Sequence, residues 1–198
     1  IKRDKDLVKV AVRDFKSNID YVMLPKFLLE ADHLINLPIL KAHASMVFSG
    51  ALKNIKGVVQ DKVHMQMHQK NLTMAMMDVW SVCRADINIM DAMHAASGYS
   101  PHMPVPIDTD MILGSKDPVA IDRVACEVTG IDTSSVDYFK VAEETGLGNY
   151  SMDMIDVVGD SIEDCYKKMW IPYIGDMSTR WPEYDVICQG ACSSCQAL

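Results

Sequence analysis

Apolar and polar positions follow two different rhythms along this chain. Leu7, Val8, Val10 and Val12 interleave with Lys9 and Arg13, the two-residue period of a strand. Pro25 to Ala31 reads as a short helix opened by proline, and Asp32 to Leu37 as a strand running into Pro38. The chain is then expected to leave the sheet near Pro38 and release Lys41 and His43 into a loop. The next apolar run, Val47 to Ile55, carries Lys53, Asn54 and Lys56; read as a helix over 47–56, it sets Lys53 and Lys56 one turn apart.

Residues 58–70 read as loop. Asn71 is an N-cap before Leu72, Ala75, Met76, Val79, Trp80 and Cys83, which are spaced for one helical face. Asp86 to Met93 reads as a strand with Ile87, Ile89 and Asp91 on one side and Asp91 near its carboxyl end. Residues 96–109 are rich in turn formers and long for a connector, which marks a candidate lid before a short strand, Met111 to Gly114. Asp117 caps a helix, Pro118 takes its first position and Gly130 stops it. Asp137 to Thr145 is a further helix closed by Gly146, and Ile155 to Val158 a late strand. Beyond residue 165 regularity fades, and Trp170, Pro172, Trp181 and Pro182 suggest a tail packed by aromatic anchors.

Strands separated by helices of about ten residues predict an α/β domain over residues 1–165, with a mostly parallel sheet and helices on both faces. Residues 166–198 form an irregular C-terminal segment. Ligands collect beyond the carboxyl ends of strands in such sheets, so Lys41, His43 and Asp91 are expected to share a crevice near the helix opened by Asp117.

Composition narrows the function classes. The chain has 198 residues, 49% hydrophobic and 23% charged, with no apolar run of the roughly 20 residues a membrane helix needs. A formal net charge of −8 disfavours nonspecific nucleic acid and anionic membranes as partners, while leaving room for a local basic pocket. Cys83, Cys126 and Cys165 fall in apolar or helical patterns and read as reduced core thiols. The chain opens on Ile1 without a charged-then-apolar leader, so a cytoplasmic location is the expectation. The methionines Met65, Met67, Met74, Met76, Met77, Met90 and Met93 read as flexible core packing rather than a soft-metal site.

Four ordered motifs, residues 31–43 (Ala-Asp-His-Leu-Ile-Asn-Leu-Pro-Ile-Leu-Lys-Ala-His), 50–57 (Gly-Ala-Leu-Lys-Asn-Ile-Lys-Gly), 89–93 (Ile-Met-Asp-Ala-Met) and 117–122 (Asp-Pro-Val-Ala-Ile-Asp), resemble the family called domain of unknown function 362 over roughly residues 25–160. The resemblance implies an iron–sulfur-related protein and an additional α/β segment upstream of the region seen here. It places the family's polar motif positions on Lys41, His43, Lys53, Asn54, Asp91, Asp117 and Asp122. The Cys-x2-Cys-x2-Cys run carried by ferredoxin-bearing members is absent, so their electron-transfer role does not carry over directly.

Three kinds of site are therefore expected. Lys41, His43 and Asp91 are the candidate catalytic groups, with Lys53, Asn54, Lys56, Asp117 and Asp122 as ligand-binding neighbours around an anionic small molecule. Cys188, Cys192 and Cys195 are spaced to converge on one metal, either a 4Fe-4S iron–sulfur cluster with a fourth position open or zinc; the alternative is a run of free thiols. His64 and His68 stand four apart as a weaker metal pair, without the glutamate of a zinc-protease motif. The first functional reading is a redox-linked protein with a redox partner. The others are a non-redox enzyme acting on a hydroxy or carboxy acid, with His43 or a lysine moving a proton, and a scaffold that hands on metal; oligomeric state is left open.

Overall fold

The computed structural model describes residues 6–12 and 17–171. A two-stranded antiparallel ribbon pairs β1 (Leu7–Ala11), the strand that the alternation predicts, with β2 (Tyr21–Pro25), which it does not, and leads into a short helix α1 (Lys26–Glu30) with Pro25 at its N-cap. The main sheet has five strands: β3 (Ile35–Asn36), β4 (Ile39–His43), β5 (Val47–Ser49), β6 (Ile87–Tyr99) and β7 (Met103–Ser115). β6 pairs in parallel with β3 and β4 along one edge and antiparallel with β7 along the other, while β5 closes antiparallel onto β4. The α/β expectation holds, with a mixed sheet.

Pro38 interrupts the strand without ending it. The chain resumes pairing at Ile39, and Lys41 and His43 lie on β4, opposite Ser49 and Val47 of β5, instead of in a loop. The turn-rich stretch 96–109 is likewise no lid: it forms the distal half of a long β6–β7 hairpin with 13 residues in each strand. Its prolines Pro104 and Pro106 lie on β7, which pairs with β6 alone among the described strands, so their missing N–H groups break no ladder on the other side.

The apolar run 47–55 divides between two structures. Val47–Ser49 is strand; α2 (Ala51–Asn54) and a 3-10 turn (Ile55–Val58) follow. The segment read as loop contains α3 (Asp61–Gln69), which buries Val63 and Met67 and shows little else apolar toward the core. α4 (Leu72–Val82), α5 (Pro118–Thr129) and α6 (Asp137–Glu144) match their caps: Asn71 accepts from the amide of Met74, and Asp117 from those of Val119 and Ala120. Gly130 ends α5 at φ 65 in the left-handed region. No strand forms at 155–158; Val158 is 89% exposed there.

One core joins Leu40 and Ala42 of β4, Met90 and Ala92 of β6, Met76 and Trp80 of α4, Val119 and Ala125 of α5, and Phe139 of α6. Met67, Met76, Met77 and Met90 are buried, in keeping with a packing role, whereas Met65 and Met93, also expected in the core, are exposed. Cys83 and Cys126 are buried free thiols and Cys165 a half-buried one. On the alternate strand positions Ile35, Ile39 and Ile112 remain 55%, 48% and 67% exposed, so the helical cover expected on both faces is not seen over this part of the sheet among the described residues. Beyond α6 the chain returns along α5, with Met169 N–H donating to Thr129. The last described residues lie against the hairpin, where the Trp170 carbonyl accepts from Gly98 N–H and Ser97 Oγ, and the Trp170 ring packs edge-on against Tyr99.

Candidate functional site

The local chain geometry around β4 and α2 is fixed by polar contacts between distant segments. Asp122, fully buried on α5, accepts from the amides of Ala51 (2.5 Å) and Leu52 (3.0 Å) and so caps α2 from another helix. Gly50 is required for this approach, because a Cβ there would lie 2.2 Å from Asp122 Oδ1. Burial pushes the Asp122 carboxyl up to about 7 and the Asp117 charge adds to this, against the two amide bonds, which hold it down. Asn36 donates to the Ala51 carbonyl and to Asn88 Oδ1, and accepts from Asn54 Nδ2 at 2.8 Å; Asn88 continues the chain of bonds to Ser115. This network pins the carboxyl end of α2 to β3, β6 and β7.

The pinned segment presents Lys53 and Lys56 toward the end of β4. Lys56 is buried, and its Nζ lies 2.6 Å from His68 Nε2 on α3. His43 is buried, and its Nδ1 accepts the Ser45 backbone N–H at 3.1 Å. That bond places the proton of the neutral ring on Nε2, which is left as a donor. The turn after His43 is tight: Val47 stands at φ 61, uncommon for a β-branched residue, and Ala44 N–H donates to the Ser100 carbonyl of the hairpin tip.

Electrostatics binds these side chains into one cluster. Burial, followed by the charges of Lys53, Lys56, Lys41 and His68, holds His43 down to about 3. Burial, then Lys56 and Lys41, lowers Lys53 to about 7, and burial lowers Lys41. At neutral pH His43 is therefore an uncharged hydrogen-bond donor, and a fraction of Lys53 is free amine. Two concavities lie elsewhere: one of about 550 Å³ lined by Val47, Gly130, Lys168 and Trp170, and one of about 740 Å³ between β7, α5 and residues 155–167. Neither is lined by a member of the cluster, whose side chains come from β4, from α2 and the turn after it, and from α3.

Of the residues singled out from sequence, the fold gathers Lys41, His43, Lys53 and Lys56. His68, read as half of a metal pair, joins them through Lys56; His64 packs edge-on against its ring with centroids 5.2 Å apart. Among the described residues no group of three or more His, Cys, Asp or Glu side chains is placed to hold a metal ion. Asp91 does not sit at a strand end. It is an exposed residue within β6, opposite Ile39, and its Oδ1 accepts the Met93 amide. Asp117 caps α5 and also accepts from Asn149, while Asn54 and Asp122 hold α2 in place; these contacts account for all three side chains structurally. Cys188, Cys192 and Cys195 lie outside the described residues, as do Pro172, Trp181 and Pro182. Sequence reasoning missed Asn36 and Asn88, polar residues on strands whose neighbours are apolar, and that contrast was the available signal.

A family model described as a domain of unknown function (DUF362) matches residues 2–127. The chain belongs to this family. Within it, the Lys41–His43 and Gly50–Lys56 motifs are the parts that build the cluster, and the 117–122 motif supports them from α5 through Asp122. The thylakoid-associated protein sll1697 of Synechocystis sp. (strain ATCC 27184 / PCC 6803 / Kazusa) is 25% identical over 136 residues, which cover 66% of this chain and 42% of that protein. The chain thus spans about two fifths of the curated relative it matches. No solved structure matches the chain. Among the described residues no helix is long and apolar enough to cross a membrane.

Proposed function

We propose that the cluster of Lys41, His43, Lys53, Lys56 and His68 binds a small anion, a carboxylate or phosphate, for chemistry on that molecule. The observation that carries this reading is the convergence of three lysines on one buried imidazole. Gathering like charges in a desolvated place is costly, and an incoming anion reverses the sign of that interaction. The neutral His43 Nε2–H adds a directional donor that no lysine supplies. A proton-moving role for His43 is less well supported than one for Lys53, because Nδ1 is already occupied by Ser45 N–H.

Calorimetric titration with phosphate, malonate and lactate tests the site. Binding to the wild type, weakened about tenfold or more in Lys41→Ala and Lys53→Gln with little change in melting temperature, is the expected result. Variants that bind as the wild type does remove the reading.

The cysteine triplet is a separate proposal resting on spacing alone: Cys188, Cys192 and Cys195 hold an iron–sulfur cluster, with zinc as the alternative, and a redox role follows if iron is bound. Stoichiometric iron and sulfide in anaerobically purified full-length protein supports it, and their absence after reconstitution removes it.

A further inference from the structure

We propose that the groove between β7, α5 and residues 155–167 takes an extended, lysine- or arginine-rich segment of a partner protein as an added strand on β7. Among the described strands β7 pairs with β6 alone, so along its outer edge every second residue turns its N–H and C=O away from the sheet. That edge has two parts. Between Asp108 and Met111, two residues of β7 stand against one of β6, and Asp110 takes φ 51 in this bulge. On the hairpin-tip side of the bulge the edge carries Pro104, Pro106 and Asp108, and proline and charge both discourage a further strand. On the other side Met111-Ile-Leu-Gly-Ser115 has neither, and this is the part that lines the groove.

The opposite wall is short of partners too. Residues 155–158, Ile-Asp-Val-Val, have strand composition, yet Val158 is 89% exposed and the backbone of 156–160 makes no backbone hydrogen bond among the described residues. The segment is anchored on either side of this stretch, by Ile155 N–H donating to the Met152 carbonyl at 3.1 Å and Lys167 N–H donating to the Val128 carbonyl at 2.8 Å. It stands off β7 with a cavity of about 740 Å³ between them. Residues 111–115 offer about 17 Å of edge at the rise of a strand.

The lining selects the occupant. Ile121, Val124 and Val128 of α5 give an incoming strand an apolar surface. Asp110, Asp156, Asp160 and Asp164 line the groove against one cation, Lys167, and no group of three or more His, Cys, Asp or Glu among the described residues is placed to hold a metal ion. Main-chain pairing supplies affinity in strand addition and side chains supply the choice, so the carboxylates favour a basic segment. A second copy of this chain, with a net charge of −8, is the poorer match.

The test uses the full chain and a capped peptide of about seven residues alternating valine and lysine, followed by amide hydrogen exchange and sedimentation. The peptide is expected to bind a monomer and to slow exchange at those amides of 111–115 that do not pair with β6. The same peptide methylated at every backbone nitrogen keeps its side chains and should not bind. Asp156→Lys with Asp160→Lys, both exposed, should weaken binding about tenfold while leaving exchange in α4 and α5 unchanged. Absence of binding, protection elsewhere, or equal binding of the methylated peptide overturns the proposal. Outward amides of 111–115 already protected without peptide overturn it as well: in a dimer the occupant is a second copy, and in a monomer it is a segment of this chain.

Discussion

Lys56 and His68 meet with 2.6 Å between Nζ and Nε2, although one belongs to the turn after α2 and the other to α3. An ammonium donates and accepts nothing, so His68 Nε2 is the acceptor and its proton resides on Nδ1. This bond ties α3 to the cluster and gives His68 a role other than metal ligation. His68→Leu removes the acceptor from a buried lysine and is expected to lower stability by about 1–3 kcal/mol in urea unfolding, with His68→Gln milder.

The cap from Asp122 to α2 makes a second prediction. Asp122→Ala deletes both bonds to Ala51 and Leu52 and is expected to cost about 2 kcal/mol or more, read from the urea midpoint. Gly50→Ala should be at least as damaging, since its Cβ would meet both Asp122 Oδ1 and the Phe48 ring, at 2.2 and 2.8 Å.

Asp122 also sets a pH dependence. Its folded value, about 7, lies above the ordinary 3.8, so the native state holds the proton more tightly than the unfolded chain does. Its contribution is full below about 4 and is lost as pH rises to about 7. Asp122→Asn should flatten this part of the stability profile.

His43 titrates in the opposite sense. Lowered from 6.5 to about 3, it contributes stability above pH 6.5 that is lost as pH falls toward 3. Its ring resonances should stay in the neutral form down to about pH 4, and His43→Gln should reduce the acid-side loss of stability. An imidazole that titrates near 6.5 in the folded protein would remove this cluster from the account.

Anion binding should take up a proton at Lys53. A bound carboxylate raises the amine's value from about 7, so titration at pH 7.5–8 draws a proton from buffer. Calorimetry in two buffers of different ionisation enthalpy measures the uptake, which Lys53→Gln should abolish.

The locally encoded elements were legible in the sequence. Asn71, the Asp117-Pro118 pair, Gly130 and Gly146 punctuate helices through contacts within one turn, and α4, α5 and α6 follow from them. α3 was hidden because Val63 and Met67 alone form its buried stripe, too little for periodicity to register. The hairpin was hidden by Pro101, Pro104 and Pro106, which read as breakers but are tolerated at the turn and on an edge strand. Ile155 to Val158 has the composition of a strand and no ladder partner among the described residues, and pairing is not a local property.

The candidate site divides along the same line. Sequence by itself determined that Lys41, His43, Lys53 and Lys56 come within a short apolar stretch, because side-chain type and spacing are written in the chain. Tertiary structure alone decided that His68 completes the cluster, that Asp91 stands apart from it, and that Asn54 and Asp122 hold α2 in place. The reason is physical. Burial, hydrogen-bond partnership and the charge a group carries depend on what other segments bring near it, and Asp122 reaches Ala51 across 71 positions of sequence.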